Sequence, residues 1–533
     1  MAGGEGIKAG LEYLEYSNAT RWIILIAVML GQLMVVVDSS IVNVAMPTMM
    51  GNLGVTLTEI SWVSTGYIIA NVIMLPLTGW FSIRFGRRKY LATSMVIFTV
   101  ASFCCGTARS LEMLVIFRVM QGVGGAAMVA TAQATIMEIF PPYQLGMVQA
   151  IFGIGIMVGP SIGPTLGGWI TDTYSWPWIF FINLPLGILA TILTLLFMHD
   201  SKIDHGPHKD GVDFVGIGLL AIGLGCMQTM LEEGNTDNWF DSHFICWMAA
   251  LAVAGIVSFI IWELHTENPA VNLRVLRHKE FAAGTLFVTV VGVGLFGGMF
   301  ILPMFLQNLR GLTAQQCGIA MLPGAIATAI MMPIVGKLTS YIAPRTLVFI
   351  GSLGVLLSNV LLYHLSMDTG AAQIFWPLVL RGVSMGCLFI PLMLATLMKL
   401  RGKEIGQGTG LFSLSQQLGG SVGIALLSTF VTRQALAHRA ALVAHVTVFN
   451  PLAQYRLLEM QAFFMQKGSS APVAYLRGLH LLDLTINGQA AVLSFGDAFM
   501  LIALLFLAAL PVLFLFKGGK MSTRGKPSTV HMD

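Results

Sequence analysis

Residues 76–88 read "PLTGWFSIRFGRR", and residues 333–345 read "PIVGKLTSYIAPR". Each has Pro-x-x-Gly, then a stretch that reads as a helix end, then a basic residue nine positions after the glycine. Gly79 and Gly336 stand 257 positions apart. A second pair keeps nearly the same spacing. "FRVMQG" (117–122) and "LRGVSMG" (380–386) place Arg118 and Arg381 263 positions apart. One unit therefore occurs twice, in the same orientation.

The composition says what the unit is made of. The chain has 533 residues, 56% of them hydrophobic and only 10% charged, with a mean hydropathy of +0.79. A soluble surface needs more charge than that. The apolar residues fall in blocks of about 20 or more, each long enough to cross ~30 Å of hydrocarbon as a helix. The blocks predict an all-α polytopic membrane protein with fourteen spans. Their limits are 22–46, 59–81, 90–108, 111–137, 144–170, 178–198, 213–232, 243–263, 281–306, 313–336, 345–365, 373–398, 406–431 and 496–516. The first block is too long for a cleaved signal and lacks a small-residue cleavage site, so it reads as an uncleaved span. Each repeat holds six spans, and spans 7 and 8 are inserted between them. Two parallel six-helix repeats around a midplane cavity is a carrier architecture. Gene duplication without transport is the alternative.

The expected segments are a cytoplasmic N-terminus (1–21), an N-terminal six-helix bundle (22–200) and a linker with the two inserted spans (201–280). Five spans of the C-terminal bundle (281–432), a long outer segment (433–495), the last span (496–517) and a basic cytoplasmic tail (518–533) follow. The basic residues orient them. With the N-terminus inside, the inner loops hold Arg84, Arg87, Arg88 and Lys89, Lys202 and Lys209, Arg274, Arg277 and Lys279, Lys337 and Arg345, then Lys399, Arg401 and Lys403. The tail adds Lys517, Lys520, Arg524 and Lys526, while the short outer loops hold only Arg109 and Arg310. This positive-inside pattern puts both termini in the cytoplasm. The outer segment carries Arg433, Arg439, Arg456, Lys467 and Arg477, but long loops cross regardless of charge. Within it, 450–468 has helical periodicity, with Leu457, Met460, Phe464 and Met465 on one side. It reads as an outward hairpin, either a structural cap or a docking surface.

The net charge of +4 follows the loops, so no nucleic-acid partner is expected. The six cysteines lie in or beside apolar blocks and show neither a disulfide framework nor metal-ligand spacing. No metal site, catalytic residue or cofactor is expected, and no G-x-x-x-x-G-K-[ST] loop is present, so the energy must come from an ion gradient.

Most of the 25 acidic residues fall in loops or at span ends, and Asp38 in "VVVDSSIVNVAMP" (35–47) is the exception. Among the basic residues, only Arg118 and Arg381 lie within spans. Asp38 lies ~20–24 Å along span 1, and Arg118 about 10 Å in from the outer end of span 4, which runs the other way. The two can share a depth. Each alone costs on the order of 3 kcal/mol at mid-membrane, and facing each other they offset that cost. Desolvation and a nearby guanidinium press on a buried carboxylate in opposite directions. A conformational change that alternates the two makes it a proton carrier, with Arg118 as the fixed charge. A static ion pair is the other alternative. Position 295, the equivalent of Asp38 in the second repeat, is a leucine. Proton handling is therefore expected in the first half alone.

Span 5 contains "GIGIMVGPSIGPTLGGWI" (153–170), in which Gly155, Gly159, Gly163 and Gly167 recur every four residues, with Gly168 beside them. Such a stripe lets another helix approach closely. Pro160 and Pro164 each remove a backbone donor. Tight packing is one expectation, and a bendable helix sealing one side of the cavity is the favoured one.

Together these segments resemble the 14-span drug:proton antiporters of the EmrB/QacA type in the major facilitator superfamily. "VVVDSSIVNVAMP" is similar to that group's span 1 signature and "FRVMQGVGGA" (117–126) to its span 4 motif. "GPSIGPTLGG" (159–168) is similar to its antiporter motif and "WPWIFFINLPLG" (176–187) to its span 6 start. The resemblance implies the major facilitator fold, proton coupling at Asp38 and Arg118, and an antiporter motif of Gly155, Gly159, Pro160, Gly163, Pro164, Gly167 and Gly168. In "GWFSIRFGRRK" (79–89) the superfamily's gate-loop residues Gly79, Arg84, Gly86 and Arg87 are kept, but Ile83 stands where it has an aspartate. The usual charge latch between neighbouring helices cannot form in its usual way.

The expected function is proton-coupled export of lipophilic drugs and toxic amphiphiles across a bacterial inner membrane by alternating access. The partners are small lipophilic substrates, protons and membrane lipids. The long outer segment resembles the EmrB side of the group, which implies a periplasmic adaptor and an outer-membrane channel. The 32 Met and 32 Phe suit a permissive apolar cavity, although packing accounts for most of them. The alternatives are a dedicated exporter of one metabolite (a siderophore, fatty acid or antibiotic), a membrane enzyme and a non-transporting receptor. Sodium in place of the proton stays open.

Overall fold

The computed structural model describes residues 16–199, 213–266, 269–339, 341–398, 400 and 403–515. The basic tail, most of the N-terminal segment, and Lys202, Lys209, Lys399 and Arg401 lie outside these. The described residues are helical and contain no strand. The first repeat comprises α1 (Asn18–Leu53), α2 (Leu57–Phe85), α3 (Arg87–Thr107), α4 (Leu111–Ile139), α5 (Pro142–Thr173) and α6 (Asn183–Phe197). The inserted pair is α7 (Phe214–Glu233) and α8 (His243–His265). The second repeat comprises α9 (Lys279–Asn308), α10 (Ala314–Leu338), α11 (Pro344–Tyr363), α12 (Ala371–Leu397) and α13 (Lys403–Ala444). α14 (Pro451–Gln466) follows, and α15 (Ala471–Ala509) is the sixth long helix of this repeat.

Local chemistry sets many helix starts. Ser17, Ser110 and Asp213 cap α1, α4 and α7 through their side chains. Thr56 with Glu59, and Thr313 with Gln316, form reciprocal capping boxes on α2 and α10. These boxes satisfy amide donors that a helix start leaves free. The apolar blocks then extend as helices because hydrocarbon offers the backbone no other hydrogen-bond partner. Their outward faces carry exposed Leu196, Trp247 and Val253, where a soluble protein would place charge.

Twelve helices among the described residues are long and apolar enough to cross a membrane. The expected spans 144–170 and 406–431 fall in α5 and α13, of 32 and 42 residues, which are not among the twelve. Ser413, Ser415, Gln416, Gln417 and Ser421 lower the apolarity of α13. Fourteen spans remains a proposal.

The two repeats touch at the end that carries the basic loops, through the paired Pro-x-x-Gly motifs. A Cβ at Gly79 would lie 2.7 Å from the Gln407 amide nitrogen of α13. A Cβ at Gly336 would lie 2.2 Å from the carbonyl oxygen of Gly146 on α5. Glycine is needed at both positions because backbone meets backbone there.

Segment 433–495, expected to lie outside, is more regular than expected. α13 continues without a break to Ala444, and α15 begins 25 residues before the predicted span. At ~1.5 Å per residue, α13 is about 63 Å long, twice the hydrocarbon thickness. His438 Nε2 lies 2.7 Å from Asp497 Oδ2, and Arg439 reaches Asp483 at 2.8 Å and Asn487 at 2.7 Å. These contacts tie the two extensions together. α14 packs on α15 where Gly478 faces Leu457 and Gln461. Leu457, Met460 and Phe464 are half-buried there, whereas Met465 is exposed, so the predicted stripe is one residue too wide.

Candidate functional site

Asp38 is fully buried midway along α1. Its Oδ2 accepts from Arg118 Nη1 of α4 at 2.5 Å. Its Oδ1 accepts from Gln121 Nε2 and from Asn183 Nδ2, both at 2.9 Å. All three partners donate, which suits an ionised carboxylate. Arg118, 1% exposed, also donates from Nη1 to Gln121 Oε1 at 2.7 Å and from Nε to the Val63 carbonyl at 3.1 Å. Its Cζ lies 4.3 Å from the centre of the Tyr67 ring, within cation–π range. Ser102 closes the network: it donates to the Phe180 carbonyl at 2.9 Å and accepts from Asn183 at 3.0 Å. Thus α1, α2, α3, α4 and the start of α6 all hold one ion pair.

A buried ion pair is tolerated only when its other hydrogen-bonding capacity is met, and this one is well supplied. Gln121 lies one turn from Arg118 on the same helix face, and Asn183 is the polar residue inside "WPWIFFINLPLG". Sequence reasoning passed over Gln121, Asn183 and Ser102, because neutral polar residues in an apolar span carry no charge signal. It also placed all acids but Asp38 in loops or at span ends. Glu233 and Glu263 do end their spans, yet they are only 9% and 1% exposed. Neighbouring helices cover them.

The second repeat solves the matching position differently. Arg381 Nη2 donates to the carbonyl oxygens of Gly294 at 3.0 Å and Leu295 at 3.3 Å. Those carbonyls lie in a π-helical turn, Val293–Gly297, of α9. The position equivalent to Asp38 therefore still meets the equivalent arginine, but with a backbone dipole instead of a charge.

The glycine stripe of α5 faces α1. A Cβ at Gly159 would lie 2.5 Å from Val36 Cγ1, one at Gly163 1.9 Å from Ser40 Oγ, and one at Gly167 2.6 Å from Ile41 Cγ1. Gly155 and Gly168 face open space. α5 runs as one helix through positions 160 and 164. Three stripe glycines thus let α5 lie against the turn of α1 that carries Asp38.

In the loop between α2 and α3, expected to act as the inner gate, Gly86 has φ +84°, which favours glycine, and starts α3 directly after α2. Arg84 is half-buried in the last turn of α2. Arg87 forms an ion pair with Glu138 at the end of α4. A charged tie between neighbouring helices therefore exists although Ile83 replaces the aspartate.

This arrangement is a helical membrane protein with an ion pair at its centre, built from two repeats. The profile of the Major Facilitator Superfamily matches residues 28–424. The chain belongs to that superfamily, and within it to the EmrB type. It is 34% identical over 499 residues to the multidrug export protein EmrB of Escherichia coli K12, covering 93% of this chain and 95% of that one. It is 30% identical to the fatty acid resistance protein FarB of Neisseria gonorrhoeae, covering 94% and 96%. Among solved structures, the proton:xylose symporter XylE superposes with a TM-score of 0.58 at 13% identity, over 94% of this chain and 100% of that one. The human organic anion transporter MFSD10 gives 0.56 at 13% identity, over 91% and 99%. At that identity the likeness concerns the fold.

Proposed function

We propose that the protein exports lipophilic drugs and toxic amphiphiles across a bacterial inner membrane in exchange for protons, by alternating access. The observation that carries this is the buried Asp38–Arg118 pair with its three donors to the carboxylate. To take up a proton, Asp38 must give up its bond to Arg118, which stays charged. The freed guanidinium then needs another partner, and α1 and α4 must shift to provide one. A proton-linked population shift between two arrangements follows. No cofactor takes part; the proton gradient supplies the energy.

The names of the EmrB relatives support a broad substrate range, and the Met and Phe content suits one. The FarB relative supports the second reading, a dedicated exporter of one amphiphile such as a fatty acid. The basic loops support cytoplasmic termini. The α13–α15 projection, with exposed Phe449, Leu452, Tyr455 and Leu458, supports a periplasmic adaptor leading to an outer-membrane channel.

The test is proton release in everted vesicles, followed with a pH-sensitive dye while a panel of lipophilic compounds is added. Responses to many compounds, absent in Asp38→Asn, are expected, with substrate binding by the variant partly retained. A response to one compound alone would favour the dedicated exporter. Full gradient-driven transport by Asp38→Asn would sink the assignment of the proton carrier.

A further inference from the structure

α7 of the inserted pair stands where α2 and α13 part. At the basic-loop end these helices meet directly, around Gly79 and Gln407. Towards the other end, α7 bonds to both. The bonds to α13 are short: Gln228 Nε2 of α7 donates to Ser421 Oγ at 2.8 Å, and Asn235 Nδ2, two residues past its end, donates to Ser428 Oγ at 3.1 Å. Trp239 Nε1, just beyond α7, donates to Thr429 Oγ1 at 2.8 Å. Towards α2 the polar link is Glu233, whose Oε1 accepts from Ser61 and Thr65 at 3.5 Å each, the limit of a hydrogen bond.

Glu233 is buried in this seam. Its charged neighbours are Glu232 and Asp237 on its own segment. The groups that face it from α2 are hydroxyls, as are the α13 groups that bond to this segment. Among the described residues no Lys, Arg or His pairs with it. An ionisable group within a membrane helix pair, without a counter-charge, marks a functional position. The turns of α2 that meet Glu233 also hold the ion pair. Ser61 and Thr65 alternate along the helix with Val63 and Tyr67, which contact Arg118. One helix, about 10 Å thick, separates the two charges.

We propose that Glu233 is a second proton-responsive group, a positioning residue that couples the inserted helix pair to α2 and, through α2, to Arg118. Protonated, its carboxyl can donate to Ser61 or Thr65 as well as accept, and α7 stays latched to α2. Ionised, it is a buried charge with no cation beside it, and the water that must enter to solvate it opens the seam to α2 while α7 travels with α13. This rests on the reading of the chain as a proton-driven exporter, and the test separates the two.

Spin labels on the outer ends of α2 and α7, in full-length protein in nanodiscs freed of its other cysteines, report their separation between pH 5 and 9. A separation that grows with pH in the wild type, stays short in Glu233→Gln and grows again in Glu233→Asp is expected. A separation independent of pH in the wild type, or an unchanged pH response in Glu233→Gln, overturns the inference. Proton release in everted vesicles, with the same pH-sensitive dye and compound panel and with Asp38→Asn as control, reads the underlying function. Proton-coupled transport lost in Asp38→Asn, with the wild-type pH profile kept in Glu233→Gln, sinks the role of Glu233 alone. No proton-coupled transport by the wild type sinks the exporter reading on which it rests.

Discussion

At the scale of single residues, the ion pair matters less as a bond than as the centre of a saturated network. Gln121 is bonded at both ends of its amide, to Asp38 and from Arg118. Gln121→Leu leaves Asp38 short of a donor and Arg118 short of an acceptor. A buried group losing its partner costs about 1–3 kcal/mol, so thermal unfolding in detergent should occur at lower temperature. Tyr67 makes the opposite case. Its ring supports Arg118, but its buried hydroxyl has no hydrogen-bond partner among the described residues. Tyr67→Phe should therefore keep stability and transport, while Tyr67→Leu should lose the cation–π contribution of about 0.5–2 kcal/mol. Equal behaviour of Phe and Leu at this position would remove the ring from the account.

At the scale of elements, the contact of α5 with α1 sets where Asp38 stands. A Cβ at Gly163 would lie 2.7 Å from Ser40 Cβ as well as 1.9 Å from its oxygen. Rotating the hydroxyl away relieves only the second clash. Gly163→Ala should push α1 off α5 and impair transport, and adding Ser40→Gly should restore part of it. Gly168→Ala, which faces open space, should have no effect. Transport assays on the four chains form a double-mutant cycle with a control. Without recovery in the double variant, the contact is not what makes glycine necessary.

At the scale of the whole molecule, the structure is shut at the basic-loop end by glycines that the repeat places at matching positions. Gly336→Ala would bring a Cβ within 2.2 Å of the Gly146 carbonyl and should disfavour this shut form. Greater accessibility of a cysteine introduced near position 146, measured with an impermeant thiol reagent in everted vesicles, would show it. The projection of α14 and the start of α15 concerns partners instead. Deleting 450–480 should leave transport in vesicles intact and weaken resistance in whole cells. Resistance unchanged in cells would exclude an adaptor docking there.

The sequence by itself determined that the chain is a set of apolar helices in two repeats, and that Asp38 and Arg118 can share a depth; it did not set how far α13 and α15 extend. Long apolar blocks can only be helices in hydrocarbon, repeated motifs reveal duplication, and a lone Asp or Arg inside such a block stands out because its burial is costly. It did not reveal Gln121, Asn183 or Ser102, whose neutral side chains look the same whether they face lipid, a cavity or a carboxylate. Nor did it reveal Glu233, since a carboxylate at a span end can be solvated or covered, and only the packing of α7 against α2 covers this one. The same holds for α5: its spacing announced close approach, but the partner, α1 at the turn of Asp38, was decided by which helices the fold sets side by side. Distances between segments remote in the chain depend on packing that local patterns do not encode. That is where the tertiary structure turned two charges into one hydrogen-bonded network.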